Sequence, residues 1–447
     1  MKKNILAIIL VISLCPAASH AQTAWTLRQC IDYAIAHNIT IKQSENTADQ
    51  SKVDVSTAKW ARLPNLNGSA GQSFTWGMDP IPTPDPETGK TNYVFVNQSS
   101  HGNDFSLNTD VPLFTGFKIP NQYKLAKLNL KAGMADLEKA KEDLSVNIAS
   151  SFVQVLYDKE LKKVADDQVS LSKEQFERSQ RLSEVGKASP AEVAEARSRV
   201  AQDEMSAVQA NNNYQLALLD LSQLLELPTM DNFDIEAPEV EPSFTPLTPP
   251  DEIFSIAVST KSAILAAQYR LDGSKNSIRI AQSSYYPQLS FGGSITTSYH
   301  YSAATSSHTF KQQLDDNLKK RLNLSLSIPL FNRFETRNRV RTARLQQANY
   351  ALQLDNAKKT LYKEIQQAWY NAVAAESKYN SSSAAVEANK ESFKLMTEKF
   401  ENGKATAVQY NEAKLNLMKA ISDRLQAKYE YMFRTKILDF YKGNPIQ

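Results

Sequence analysis

Two stretches of 66 residues, 120–185 and 337–402, constrain this chain more than any other feature. After Pro120 the first holds no proline and a single glycine, Gly133; the second holds neither. Each reads as one continuous helix, roughly 100 Å long at 1.5 Å per residue. Each stops at a short turn, Glu184-Val185-Gly186-Lys187-Ala188-Ser189 in one case and Glu401-Asn402-Gly403-Lys404-Ala405-Thr406 in the other. The glycine can take the left-handed conformation that ends a helix. Ser189 or Thr406 then caps the next helix, with Glu192 or Gln409 placed to complete a capping box. Pro190 suits the first helical position, where its missing N–H costs least. Shorter helices are predicted at 190–226 and 407–441.

The two stretches belong to a duplication. Val111-Pro112-Leu113-Phe114 matches Ile328-Pro329-Leu330-Phe331 at a shift of 217 residues. At that shift Leu137, Leu144, Ile148 and Phe152 meet Leu354, Leu361, Ile365 and Trp369, and Tyr214 meets Tyr431. Near the start of each half, Ala58, Pro64 and Leu66 meet Ala281, Pro287 and Leu289 at a shift of 223. The predicted order is helix–strand–strand–helix–helix, twice over. The first copy spans 22–226, with a helix at 27–62, strands at 65–77 and 103–114, the long helix 120–185 and the turn 186–189. The second spans 251–447, with a helix at 251–286, strands at 288–301 and 320–331, the long helix 337–402 and the turn 403–406. Residues 227–250, with six prolines, read as a linker. The two shorter helices of each half, laid end to end, match the long one beside them, so both glycine turns fall at one end of a rod and the strands toward the other. The apolar spacing along 137–155 alternates sevens, fours and threes, as in coiled-coil packing.

The N-terminus reads as a secretory signal. Lys2 and Lys3 precede a ten-residue apolar run, Ile5–Leu14, and Ser19-His20-Ala21 offers small residues for cleavage, giving a mature start at Gln22. The alternative is lipidation at Cys15, although Leu14 is bulky for that role. Cleavage removes two lysines from a formal charge of +3, leaving roughly +1, and leaves Cys30 as the one cysteine. No intramolecular disulfide, metal cluster or cofactor is expected. The balanced charge argues against nucleic acid as a partner. No other segment is apolar enough for a membrane helix, so entry into a membrane would have to be by strands.

The strands fit that role. Leu322, Leu324, Leu326, Ile328 and Leu330 alternate with Asn323, Ser325 and Ser327; Phe105, Leu107, Val111 and Leu113 alternate with Ser106, Asn108 and Asp110. Leu289, Phe291, Ile295, Tyr299 and Tyr301 continue the pattern. Aromatic residues at or near the strand ends, including Phe74, Trp76, Phe114, Tyr285, Tyr286 and Phe331, resemble the girdles at membrane interfaces. A soluble antiparallel sheet with one wet face shows the same alternation, and that reading stays open. Four strands cannot close a membrane barrel, which starts at eight. Two chains would give a barrel filled by side chains; three would give twelve strands and room for a channel.

With these motifs in order, the chain resembles the TolC family of outer-membrane efflux ducts. The resemblance rests on Trp25-Thr26-Leu27-Arg28-Gln29-Cys30-Ile31-Asp32-Tyr33-Ala34, on the strand entries Leu63-Pro64-Asn65-Leu66 and Tyr286-Pro287-Gln288-Leu289, on the Pro-Leu-Phe strand exits and on the two glycine turns. It implies a mainly α fold with membrane β-strands. In that fold a homotrimer builds a twelve-stranded barrel in outer-membrane lipid, continued by a periplasmic α-helical barrel. It implies two partners, a periplasmic adaptor and an inner-membrane transporter of the RND or ABC class. It places the adaptor-docking tip at Gly186, Lys187, Ala188, Ser189, Gly403, Lys404, Ala405 and Thr406. Family members carry acidic residues six and nine positions after the second tip glycine, and an arginine two positions after it. Here those positions are Gln409, Glu412 and Ala405; Glu192 and Glu195 stand at the equivalent places in the first half. Glu192, Glu195, Gln409 and Glu412 are therefore the candidate gate, although Glu192 has a competing role as capping partner of Ser189.

The expected function is a passive exit duct of a Gram-negative cell. There is no Gly-x-x-x-x-Gly-Lys-Ser/Thr phosphate loop and no catalytic triad, so no enzymatic activity is expected. A coiled-coil scaffold of the periplasm or cell surface, with a small soluble sheet, is the competing class. Within ducts, type I protein secretion competes with small-molecule efflux.

Overall fold

The computed structural model describes residues 24–230, 233–237, 244, 246–302 and 308–446. The expected signal segment 1–21, with Cys15, lies outside the described residues, as does part of the expected linker. The described chain is mostly helical, with one antiparallel four-stranded sheet.

The helix expected over 27–62 is two helices, α1 (Leu27–His37) and α2 (Ile39–Trp60). Asn38 makes the break. Its backbone is extended, at φ −61° and ψ 130°, and its side chain accepts from the N–H of Thr40 at 2.9 Å. An asparagine that caps within an apolar helical pattern competes with helix continuation. Thr26 and Gln29 form a full capping box at the start of α1.

Two strands follow, β1 (Asn67–Pro84) and β2 (Thr91–Thr115), both longer than expected. The stretch Met78–Pro84, expected as loop, is extended and pairs with residues 91–97. Pro80, Pro82 and Pro84 alternate, so their nitrogens all point to one side. β1 is an edge strand, and prolines are tolerated where the missing N–H faces no partner. Asp85 closes the hairpin, accepting from the N–H of Glu87 at 3.0 Å and the hydroxyl of Thr88 at 2.7 Å. The chain then enters α3 (Lys118–Glu184) and α4 (Pro190–Leu224).

In the second half the first expected helix again divides, into α5 (Pro250–Thr260) and α6 (Ser262–Gln282), at extended Lys261. β3 (Gln288–Ser302) follows. A short helix, α7 (Phe310–Asp316), sits in the segment expected as a polar loop. It covers the edge of β3 beyond the end of β4: Asn317 donates to the Ser298 carbonyl at 2.8 Å, and Gln313 accepts from the N–H of His300 at 2.9 Å. β4 is Lys319–Ser327. It stops short of the expected residue 331, because Pro329 and the left-handed Arg333 and Phe334 turn the chain. α8 (Glu335–Glu401) and α9 (Ala407–Tyr441) complete the fold.

The sheet order is β1-β2-β3-β4, antiparallel throughout, leaving β1 and β4 as edges. Its register sorts the side chains. Val111, Phe291 and Leu324 lie in one cross-strand row; Asp110, Gly292 and Asn323 lie in the next, on the opposite face. One face is therefore apolar and the other carries Ser106, Asn108, Asp110, Asn323 and Ser325. The apolar face is uncovered: Trp76, Leu322, Leu324 and Leu326 are exposed.

The chain divides into two compact units, each drawing on both sequence halves. One comprises residues 48–134 and 266–354 and contains the sheet. The other comprises residues up to 47, 135–265 and from 355 onward, and is helical. In the helical unit Leu144, Ile148, Phe152 and Val155 of α3 are buried, as are Leu361, Ile365 and Ala372 of α8. Each large apolar side chain so buried contributes about 1.5–3 kcal/mol.

The Pro-rich segment is strapped to this unit. Trp25 and Ile235 form a parallel bridge, with Trp25 N–H to the Asp234 carbonyl at 2.9 Å. The Asp234 carboxylate accepts from Lys159 at 2.8 Å and from the Tyr214 hydroxyl at 2.6 Å. Phe244 stacks near Tyr431, with centroids 4.9 Å apart. Tyr214 and Tyr431, equivalent in the repeat, thus both hold this segment.

Candidate functional site at the hairpin turns

Both glycine turns are Schellman motifs. Gly186, at φ 71°, donates to the Ser183 carbonyl at 2.9 Å, and Lys187 donates to that of Leu182 at 2.8 Å. Gly403, at φ 68°, donates to Phe400 at 3.1 Å, and Lys404 to Lys399 at 2.8 Å. These are the 5→2 and 6→1 bonds that satisfy the last carbonyls of a helix. The cap of the next helix, Ser189 or Thr406, stands three residues after each glycine. Thr406 and Gln409 make the complete capping box. At the first turn only half of it forms. Ser189 accepts from the Glu192 N–H at 3.2 Å, and its hydroxyl donates to the Glu192 carboxylate at 3.1 Å. Glu192 and Gln409 are thereby engaged in capping, while Glu195 and Glu412 are exposed on their helices.

A cleft of about 700 Å³ brings the two turns together. Lys187, Ala188, Glu192, Glu195, Gly403, Ala405 and Thr406 line it; Gly186, Ser189, Lys404, Gln409 and Glu412 do not. Its walls hold polar residues that sequence reasoning did not single out. Arg178 of α3 pairs with Glu401 of α8 at 2.9 Å, joining the two long helices. Tyr410 of α9 is buried and stacks on Phe400 at 4.8 Å. Burial pushes its hydroxyl up, and Glu401 adds to the shift.

One turn further along α9, Lys414 is buried with 2% of its side chain exposed, and Asp203 of α4 with 6%. They pair at 3.2 Å. Asp203 is also approached by Arg199 at 3.4 Å and by the Gln168 amide of α3 at 3.2 Å. Burial holds the Lys414 ammonium below its ordinary 10.5, with Asp203 opposing and Arg199 reinforcing the shift. Its placement carried a signal: Lys414 follows buried Tyr410 by one turn, so a cation occupies a core-facing slot of α9.

These hairpins and this sheet have counterparts in known proteins. The model of the outer membrane efflux protein family matches residues 30–226 and 254–438. The chain belongs to that family. It is 21% identical to outer membrane protein TolC of Escherichia coli K12, over 96% of this chain and 84% of that protein. The fold resembles the Campylobacter jejuni CmeC outer membrane channel, with a TM-score of 0.75, 19% identity, and 93% and 84% of the two chains covered. It also resembles the outer membrane protein VceC of Vibrio cholerae, with a TM-score of 0.72, 15% identity, and 94% and 97% covered. Membership in the efflux family places the chain in the outer membrane of a Gram-negative cell, its helical part in the periplasm. That decides between the two classes the sequence left open, against a soluble scaffold.

Proposed function

We propose that this efflux-family protein is the passive exit duct of a tripartite export system, and that it works as a homotrimer. The observation that carries this reading is the sheet. It has two edge strands, β1 and β4, and an apolar face without cover among the described residues. Unpaired strand edges are not tolerated in a bilayer, so the sheet must close. Four strands are half the smallest single-chain barrel. Three copies, with β1 of each pairing with β4 of the next, close twelve strands around the face that bears Asn108, Asp110, Asn323 and Ser325. The apolar face then meets lipid, and the polar face lines a wet lumen.

Six glycine turns from three chains would form the periplasmic mouth. There Lys187, Lys404 and the rest of 186–189 and 403–406 would dock an adaptor fed by an inner-membrane RND or ABC transporter. That transporter supplies the energy and the substrate, and both small-molecule efflux and type I protein secretion fit such a duct. Glu195 and Glu412 are free of capping duties and are the better gate candidates; Glu192 and Gln409 hold backbone first.

The test begins with membrane extraction, which should require detergent and yield a heat-sensitive trimer. Cysteines placed in β1 and β4 should cross-link between chains and not within one. Glu412→Gln should alter cation preference or conductance in planar bilayers. A monomer in the soluble fraction would refute the reading.

A further inference from the structure

The junction between sheet and helices carries a charge pattern that conduction leaves unused. The whole chain is almost balanced, with 51 Lys and Arg against 48 Asp and Glu. At the two strand exits that balance is gone. Residues 112–134 contain four lysines and no acid, and residues 328–354 contain five arginines and one glutamate. All nine cations are exposed. Lys118 opens α3, and Arg337 lies in the first turn of α8. The positive end of a helix dipole disfavours cations there. At α3 no acid in the first turn offsets this; at α8 the first residue, Glu335, offsets part of it and pairs with Arg339, leaving a net excess of four cations in that stretch.

The same two places carry a repeated apolar turn. Pro112-Leu113-Phe114-Thr115-Gly116-Phe117 corresponds to Pro329-Leu330-Phe331-Asn332-Arg333-Phe334 at the shift of 217. Residues 116–117 and 333–334 share the left-handed conformation, at φ 61°, 65°, 53° and 64°. Phe117 meets Phe114 edge-on at 5.3 Å, and Phe334 meets Phe331 at 5.5 Å. Leu113, Phe117, Leu330, Phe331 and Phe334 are all exposed. Phe114 stands opposite Leu289, which stands opposite Leu326, so it belongs to the apolar face of the sheet. Beside it a cleft of about 580 Å³ is lined by Lys59, Arg62, Phe117, Lys124 and Lys127 together with Phe114. Four cations and three aromatic rings, those of Phe114, Phe117 and Tyr123, thus converge where the apolar face ends.

We propose that this cleft and the arginine-flanked Phe331–Phe334 turn bind headgroups of anionic phospholipids in the periplasmic leaflet of the outer membrane. The assignment rests on the duct reading, which puts the apolar face in lipid. Acyl chains continue along that face, the glycerol lies at the aromatic rim, and the phosphodiester reaches the cations. A zwitterionic headgroup brings its own ammonium into a cationic cleft, so phosphatidylglycerol is favoured over phosphatidylcholine.

The test uses the full-length trimer in detergent, offered equal amounts of the two lipids with matched chains, with bound lipid counted by native mass spectrometry. The wild type should prefer phosphatidylglycerol by about thirtyfold, as expected for two engaged cations. K59Q/R62Q/K124Q/K127Q/R333Q/R337Q, which removes cations from both places, should lose most of that preference, while K163Q/K390Q/K394Q/K419Q, with four cations removed from the helical unit, should keep it. Equal binding by the wild type, or a preference that survives in the first variant, overturns the proposal. Should that variant fail to assemble, a salt series on the wild type decides. The preference should fall toward unity between about 50 and about 500 mM NaCl as screening shortens, and a salt-insensitive preference refutes it. Inorganic phosphate that displaces the lipid at equal concentration would show a free-anion site and refute the lipid assignment. A trimer without lipid preference leaves the duct reading standing; a soluble monomer removes both.

Discussion

The buried pair Asp203–Lys414 is the sharpest energetic test of the helical unit. At 3.2 Å and an effective dielectric constant near 20, the attraction is about 5 kcal/mol. Desolvation of two nearly inaccessible charges offsets most of it, so the pair as a whole contributes little net stability. Its removal one side at a time is different, and the surroundings make the two sides unequal. Lys414→Met leaves Asp203 with Arg199 at 3.4 Å and the Gln168 amide at 3.2 Å, so the carboxylate keeps partners. Asp203→Leu leaves Lys414 and Arg199 facing each other with no carboxylate between them. The expected costs are about 3 kcal/mol for Lys414→Met and about 5 kcal/mol for Asp203→Leu, at the two ends of the range for breaking a buried pair. The double variant should lose about 2 kcal/mol, less than either single variant, because the buried ammonium is gone while the Arg199 guanidinium still lacks its carboxylate. Denaturant unfolding of the detergent-solubilised protein, as a double-mutant cycle, measures all three. Additive losses, or a Lys414→Met cost larger than that of Asp203→Leu, would refute the reasoning. In a bilayer the same variants report whether α4 and α9 part on opening, since both single variants should then raise the open fraction.

Other outcomes follow from single sites. Gly116→Ala should abolish assembly of the sheet unit, since its Cβ would lie 2.4 Å from the Ser283 carbonyl oxygen; recovery of trimer by gel filtration checks this. The Cys30 thiol is buried and pushed up to about 12, so it should stay inert to a thiol reagent near pH 8 and react only after unfolding. Burial raises the Asp234 carboxyl, but hydrogen bonds from Lys159, Tyr214 and the Ile235 N–H outweigh it and hold the group below 3.8. The stability it contributes is therefore complete above pH 3.8 and is lost as pH falls through the lower native value. Asp234→Asn should flatten that acid limb of unfolding free energy against pH and lower stability at neutral pH. An unchanged limb would show that the strap does not depend on this carboxylate.

How much of this was legible depended on whether a feature was periodic or local. The long helices α3 and α8 fall within two residues of their expected bounds at either end, because absence of proline and a terminal glycine are signals read one residue at a time. The glycine stops and the Ser189 and Thr406 caps were legible in the sequence, but of the two capping boxes expected only that of Thr406 and Gln409 is complete. The breaks at Asn38 and Lys261 were not, because neither residue interrupts an apolar pattern; what stops the helix is an extended backbone at one position in each half. The length of β1 was misread for the opposite reason. Three prolines signal a loop unless the strand is known to be an edge, and edge position is a property of the sheet. The candidate site followed the same division. The residues that cap were visible in the sequence. Asp203, Lys414, Arg178 and Glu401 meet across 211 and 223 positions, and no local pattern announces such pairs.

The caps and the ion pairs have different consequences for opening. Schellman bonds and capping boxes lie within single hairpins, so they persist whether or not hairpins separate. Arg178–Glu401 and Asp203–Lys414 each connect a helix of the first half to one of the second, so any motion of one hairpin away from the other must break them. The capping residues then fix the shape of each tip, and the cross-hairpin pairs set the cost of moving it. Arg178–Glu401 is partly exposed, at 35% and 48%, and should contribute at most about 1 kcal/mol. The buried pair is costly to break only where its charges stay out of water, so its weight in any opening depends on whether water reaches Asp203 and Lys414 as the hairpins part.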